Sequence, residues 1–183
     1  MSDLRKQKYR QYFTAGDVDG DGFLEREDLT GFAERYIASR GAPADSPEAQ
    51  AVREMMDGFW VKVLAPLDQT GDGRVDQDEL LRAFEEALGG TGIYPELIEP
   101  VADTYWHLAD TNGDGKIDLQ EFQQLFMAIG HGSEDHLAEV FGRLDTDASG
   151  GLARSEYHRA LEEFFCSDDP NAPGNELFGP LPG

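Results

Sequence analysis

Residues 110–121 read DTNGDGKIDLQE. Asp110, Asn112, Asp114, Asp118 and Glu121 place oxygen-bearing side chains at positions 1, 3, 5, 9 and 12 of that stretch. Gly115 stands at position 6 and Ile117 at position 8. The same plan occurs three more times, at 17–28 (DVDGDGFLERED), 68–79 (DQTGDGRVDQDE) and 145–156 (DTDASGGLARSE). Each repeat starts with Asp and ends on an acid. Each carries glycine at position 6 (Gly22, Gly73, Gly150) and an apolar residue at position 8 (Leu24, Val75, Leu152). A single such stretch is compatible with a solvated acidic turn. Four in register are not explained that way.

The spacing describes a cage for a hard cation. Calcium takes ~6–8 oxygen ligands at ~2.3–2.6 Å, and a chain curling around the ion supplies them from alternate positions. The pattern is that of the EF-hand calcium loop. Asp17, Asp19, Asp21, Glu25 and Asp28 are the side-chain ligands expected of the first loop, with the Phe23 carbonyl at position 7. The second loop offers Asp68, Thr70, Asp72, Asp76 and Glu79, with the carbonyl of Arg74. The third offers the five residues quoted above and the carbonyl of Lys116. The fourth offers Asp145, Asp147, Ser149 and Glu156, with the Gly151 carbonyl; Ala153 at position 9 leaves that ligand to water. Up to four calcium ions are expected. Asp28 is one methylene shorter than Glu, and one bound carboxylate oxygen instead of two is nearer the octahedral shell of magnesium. Magnesium is therefore expected to compete at the first loop.

The flanks keep a helical period. Before the loops, Tyr9/Tyr12/Phe13/Gly16, Trp60/Val63/Leu64/Leu67, Ala102/Tyr105/Trp106/Ala109 and Leu137/Val140/Phe141/Leu144 mark inward faces. After them come Leu29/Phe32/Ala33/Tyr36, Leu80/Leu81/Phe84/Leu88, Phe122/Leu125/Phe126/Ile129 and Tyr157/Leu161/Phe164/Phe165. The reading is all-α: eight helices around four EF-hands, in two pairs packed into one compact globule. Position 8 should pair the loops by short β strands. Loop starts are 51, 42 and 35 residues apart. The first step is stretched by GAPADSP at 41–47, followed by a long helix expected from about Glu48 to Leu67. GGTGIYPE at 89–96 is a turn-rich linker. The expected division is an N-terminal pair at 1–90, a C-terminal pair at 91–166 and a Pro/Gly-rich tail at 167–183.

Composition agrees. Across 183 residues, 37 Asp and Glu face 15 Lys and Arg, for a net charge of −22. The four loops hold 18 of the acids. Such a surface repels nucleic acid and anionic lipid, so neither is an expected partner. No secretory leader and no 18-residue apolar run is visible, which predicts a cytoplasmic protein without a membrane span. One cysteine, Cys166, rules out an internal disulfide and is read as a small, partly buried hydrophobe. His107, His131, His136 and His158 lack metal-ligand spacing. No nucleophile, base or cofactor motif stands out, so an enzyme is not expected.

Taken with the stretched first pair, the segments 100–122 (PVADTYWHLADTNGDGKIDLQEF) and 138–165 (AEVFGRLDTDASGGLARSEYHRALEEFF) resemble the calerythrin and sarcoplasmic calcium-binding protein family, most of all its bacterial calerythrin-like members. The resemblance spans residues 1–183. It implies a four-EF-hand globule that buffers calcium or modulates a signal in the cytosol. In that family one loop, commonly the second, is often degenerate. Here its ligand set is complete, so the family's stoichiometry does not carry over directly.

Two functions remain open. A buffer holds calcium in a fixed core. A sensor opens a groove for a partner protein, commonly one rich in Met. The chain has four Met and an interior of Phe, Tyr, Trp and Leu, which suits the buffer. A monomer is expected. The tail, SDDPNAPGNELFGPLPG, has too many prolines and glycines for a helix. Leu177, Phe178 and Leu181 should fold back onto the aromatic cleft between the exiting helices, where a sensor's target would lie.

Overall fold

The structure, a computed structural model, describes residues 1–89, 98–130 and 132–181. Eight α-helices carry it: α1 (Asp3–Gly16), α2 (Arg26–Ser39), α3 (Pro47–Phe59), α4 (Gln77–Gly89), α5 (Glu99–Ala109), α6 (Leu119–Ile129), α7 (Glu134–Leu144) and α8 (Arg154–Cys166). Between entering and exiting helices lie four short strands: β1 (Phe23–Leu24), β2 (Val75–Asp76), β3 (Lys116–Asp118) and β4 (Gly151–Ala153). β1 pairs with β2 and β3 with β4, both antiparallel. The position-8 residues face each other, Leu24 with Val75 and Ile117 with Leu152. All four side chains are buried. Each pair of loops is thereby held back to back. Much of the linker expected at 89–96 lies outside the described residues, as do His131 and the Leu88 side chain.

Local chemistry sets where three of the helices start. Ser2, Ser46 and Ser133 are N-caps, their hydroxyls accepting the amides of Arg5, Ala49 and His136 at 3.2, 3.1 and 3.3 Å. Pro47 follows Ser46 at the first helical position, where its missing N–H costs nothing.

The long helix expected from Glu48 to Leu67 is not continuous. α3 ends at Phe59, a π turn covers Trp60–Leu64, and a 3-10 turn covers Ala65–Leu67. Pro66 is the reason. Within an α-helix it would leave the Lys62 carbonyl without a donor and press its ring against it. Widening the preceding turn removes the conflict. Trp60, Val63, Leu64 and Leu67 still face the core.

The two pairs share one interior. α1 packs on α4 and α8, α2 on α6, and α3 on α5. Hydrogen bonds cross between the pairs: Tyr9 Oη donates to the Phe165 carbonyl at 2.6 Å, Tyr36 Oη to that of Leu108, and Arg35 Nε to that of Ala128 at 3.1 Å.

The tail joins this core. A 3-10 turn, Pro173–Glu176, lies against α7 and α8. Leu177 and Phe178 are buried, while Leu181 is only half-buried. The Phe178 ring centroid lies 4.8 Å from Phe164 and 5.1 Å from Tyr12. It lies 6.0 Å from both Tyr105 and Phe126. One side chain thus contacts rings from α1, α5, α6 and α8.

A buried lysine pins the tail. Lys8 Nζ donates to the Glu163 and Ser167 carbonyls at 2.9 and 2.8 Å and to Asn175 Oδ1 at 3.0 Å. Burial pushes its pKa down to about 8. At the surface, the Arg5 guanidinium holds Asp168 through bonds of 2.9 and 2.7 Å, which keeps that carboxyl below its ordinary value.

Candidate calcium centres

Each loop is organised by its own carboxylates before any ion is considered. At position 1, Asp17 accepts the amides of Gly20, Asp21 and Gly22 at 2.8, 3.1 and 3.0 Å. Asp68 accepts those of Gly71 and Gly73 at 2.6 and 2.9 Å, and this holds its carboxyl below the usual range. Asp145 accepts those of Ser149 and Gly150 at 3.0 and 2.9 Å. Asp110 accepts only that of Gly115, at 3.1 Å, through Oδ2; its Oδ1 is buried without a hydrogen-bond partner.

These bonds require the chain to turn sharply twice. Position 6 is left-handed in every loop, with φ of +90° at Gly22, +89° at Gly73, +83° at Gly115 and +82° at Gly150. Glycine adopts this without a Cβ clash. Position 4 is left-handed as well. Three loops have glycine there, but the fourth has Ala148 at φ +53°, the one non-glycine residue with positive φ among the described residues.

Positions 3 and 5 complete the inner rim. Asp19, Asn112 and Asp147 fold over the amides of Asp21, Asp114 and Ser149 at 3.1, 2.7 and 3.0 Å. Bonds from Ser149 keep the Asp147 carboxyl below its ordinary value. Asp21 and Asp114 each accept the amide of position 7 at 2.9 Å, and Asp72 does so at 3.2 Å.

The carboxylates at position 12 are buried: Asp28, Glu79, Glu121 and Glu156. A buried anion needs partners, and both oxygens have them. One oxygen accepts the amide of position 2, from Val18, Gln69, Thr111 or Thr146, at 2.8, 3.0, 3.0 and 2.9 Å. The other accepts the amide of position 9, from Glu25, Asp76, Asp118 or Ala153, at 2.9, 3.0, 3.1 and 3.1 Å. Burial pushes Glu156 up, but the bonds from Thr146 and Ala153 outweigh it and its carboxyl sits below the ordinary value. For Asp28 burial wins over its two amides, and its carboxyl sits above the ordinary value.

The donor sets fit calcium. Asp17, Asp19 and Asp21 bring carboxylate oxygens within 4.8 Å of one another, as do Asp145, Asp147 and Glu156. Loops two and three have a neutral oxygen at position 3, from Thr70 and Asn112. Like charges held this close without an ion repel, and the orphaned Asp110 oxygen adds an unmet acceptor to the third loop. A divalent cation answers both. The sequence did not flag Thr111 and Thr146, whose hydroxyls donate to Glu121 Oε1 and Glu156 Oε1 at 2.7 and 2.8 Å. Their place at position 2 of their loops was the available signal.

A helix–loop–helix with this loop, doubled through an antiparallel strand pair, defines a calcium-binding EF-hand unit. The chain carries EF-hand calcium-binding units and is similar to calerythrin and the sarcoplasmic calcium-binding proteins. The family model for an EF-hand domain pair matches residues 97–162, and that for a single EF hand matches 10–33. Calerythrin of Saccharopolyspora erythraea is 26% identical over 163 residues, which is 88% of this chain and 92% of that one. The sarcoplasmic calcium-binding protein beta chain of a Penaeus shrimp is 25% identical over 172 residues, 90% of each chain. A Streptomyces coelicolor protein, described as acting in calcium-mediated regulation, superposes with a TM-score of 0.71 at 28% identity, covering 88% of this chain and 97% of its own.

Proposed function

We propose that the chain is a cytoplasmic calcium buffer, a monomer without enzymatic activity, that binds up to four ions. Each ion would be held by the residues at positions 1, 3, 5, 7, 9 and 12 of its loop, as assigned above from the sequence. The units of binding are the pair within residues 1–90 and the pair within 91–166. Magnesium competes at the first loop, closed by Asp28. Nucleic acid and membranes are not partners. Among the described residues no helix is long and apolar enough to cross a membrane.

The observation that carries the buffer reading is the tail. Leu177 and Phe178 are buried, and the Phe178 ring packs among entering helices α1 and α5 as well as exiting helices α6 and α8, not between exiting helices alone as the sequence predicts. Core surface that a sensor would offer to a target is covered by the chain's own tail. The two cavities beside Asp28, Phe59 and Tyr105 hold about 30 Å³ each, room for a water or two. A sensor remains the second reading. It is supported by the likeness to the Streptomyces protein and by an open groove of about 600 Å³ beside Gln11, Arg35, Met127 and Pro180.

Fluorescence of an environment-sensitive apolar dye distinguishes the two. A buffer should bind less dye when calcium is added, because the ion tightens a closed core. More dye on calcium addition would contradict the buffer and favour the sensor.

A further inference from the structure

The four loops close in two different ways. In the first two, the carboxylate at position 12 is held by backbone amides alone: Val18 and Glu25 on Asp28, and Gln69, Thr70 and Asp76 on Glu79. In the last two, a threonine hydroxyl is added. Thr111 Oγ1 donates to Glu121 Oε1 at 2.7 Å and Thr146 Oγ1 to Glu156 Oε1 at 2.8 Å. Thr146 Oγ1 also accepts from Arg159 Nη2 at 3.0 Å, which links a cation to the closing carboxylate of the loop with the fewest acids.

The consequence is geometric. A glutamate that binds calcium through both oxygens must present its carboxylate plane to the ion. The position-9 amide fixes Oε2. At Oε1 the hydroxyl adds a donor from a second direction, which restricts rotation of the plane. A ligand held in place before the ion arrives loses less freedom on binding.

We propose that Thr111 and Thr146 are positioning residues which, through these hydroxyl bonds, make the C-terminal pair hold calcium more tightly than the N-terminal pair. The inference rests on Glu121 and Glu156 being calcium ligands. It makes the C-terminal pair the slowly exchanging store and the N-terminal pair the fast, responsive one.

Calcium titrations of the full chain, followed at the amides of Gly22, Gly73, Gly115 and Gly150, report each loop separately. Chelator-triggered release gives the off-rates. The double variant Thr111→Val with Thr146→Val keeps the shape and removes the hydroxyls. It should weaken loops three and four by roughly three- to tenfold, since these are part-buried bonds to a charged acceptor. The loss should appear as faster release. Loops one and two should change less than twofold, and the melting temperature in chelator should hold. The Thr111→Ser, Thr146→Ser variant should restore the affinity. Gln69→Thr is the reciprocal test. It supplies a hydroxyl beside Glu79 and should tighten the second loop by a similar factor.

Equal affinities at all four loops of the unaltered chain would overturn the inference. So would Val variants with unchanged release, or Gln69→Thr without effect. Absence of calcium from loops three and four altogether would overturn the ligand assignment itself, a distinct result.

Discussion

Asp28 differs from Glu79, Glu121 and Glu156 by one methylene, yet it keeps the same bonding plan. Its two oxygens reach the amides of Val18 and Glu25 at 2.8 and 2.9 Å. On the proposed reading, the shorter side chain offers one oxygen to the ion and leaves a six-ligand shell. Asp28→Glu should therefore raise calcium selectivity at the first loop alone. Calorimetry with and without millimolar magnesium reads this, and an equal effect of magnesium on all four loops would contradict it. Ala148 carries the other residue-scale cost. An L-residue at φ +53° forfeits roughly 1–2 kcal/mol, partly offset in glycine by greater freedom when unfolded. Ala148→Gly should stabilise the fourth loop by roughly 0.5–1 kcal/mol, seen as a higher melting temperature in calcium. The candidate ligand positions were proposed from the spacing of oxygens, which is a property of the chain itself. The Thr111–Glu121 and Thr146–Glu156 bonds were not. They span ten residues and exist only once the loop has curled.

The elements divide in the same way. Helical faces flanking the loops were readable from periodicity, and the strand pairs from the apolar residue at position 8. The π turn at Trp60–Leu64 was hidden, because Trp60, Val63, Leu64 and Leu67 face inward in either geometry. Only Pro66 signalled it. Lys8 was hidden too. A basic N-terminal stretch reads as a solvated face, whereas its amine binds the end of α8 and Asn175 of the tail. The tail's return was readable from Leu177 and Phe178, but its seat was not. That seat depends on Gly174, where a Cβ would lie 2.2 Å from the Ala160 carbonyl oxygen. Backbone must move to admit it. Gly174→Ala should lift the turn and expose Leu177 and Phe178. At ~1.5–3 kcal/mol for each large apolar side chain, the loss is about 3 kcal/mol or more. Thermal unfolding in calcium measures it, and a wild-type melting temperature would show that the tail contributes no stability.

At the scale of the whole molecule, the shared core makes alkaline pH a probe of packing. Burial raises the pKa of Tyr9, Tyr12, Tyr36 and Tyr105, the last to about 12. A tyrosine raised in the folded state favours folding below pH 10 and loses that contribution as pH climbs toward its folded value. Each contributes a slope of about 1.4 kcal/mol per pH unit above pH 10. Lys8 acts with the opposite sign. With its pKa lowered to about 8, the unfolded state binds more protons between there and 10.5, so stability rises with pH across that window. Stability should hold or increase from pH 8 to 10 and then fall steeply. Denaturant unfolding along a pH series checks this, and a steady decline beginning at pH 8 would contradict it.

The central claim is that calcium leaves the core closed on its own tail. Hydrogen exchange at the Leu177 and Gly179 amides, which donate to the Gly174 and Glu176 carbonyls at 3.1 and 3.0 Å, tests it directly. Calcium-saturated protein should exchange these amides more slowly than protein in chelator. Faster exchange with calcium would mean that the ion releases the tail, and the molecule would then be a sensor and not a buffer.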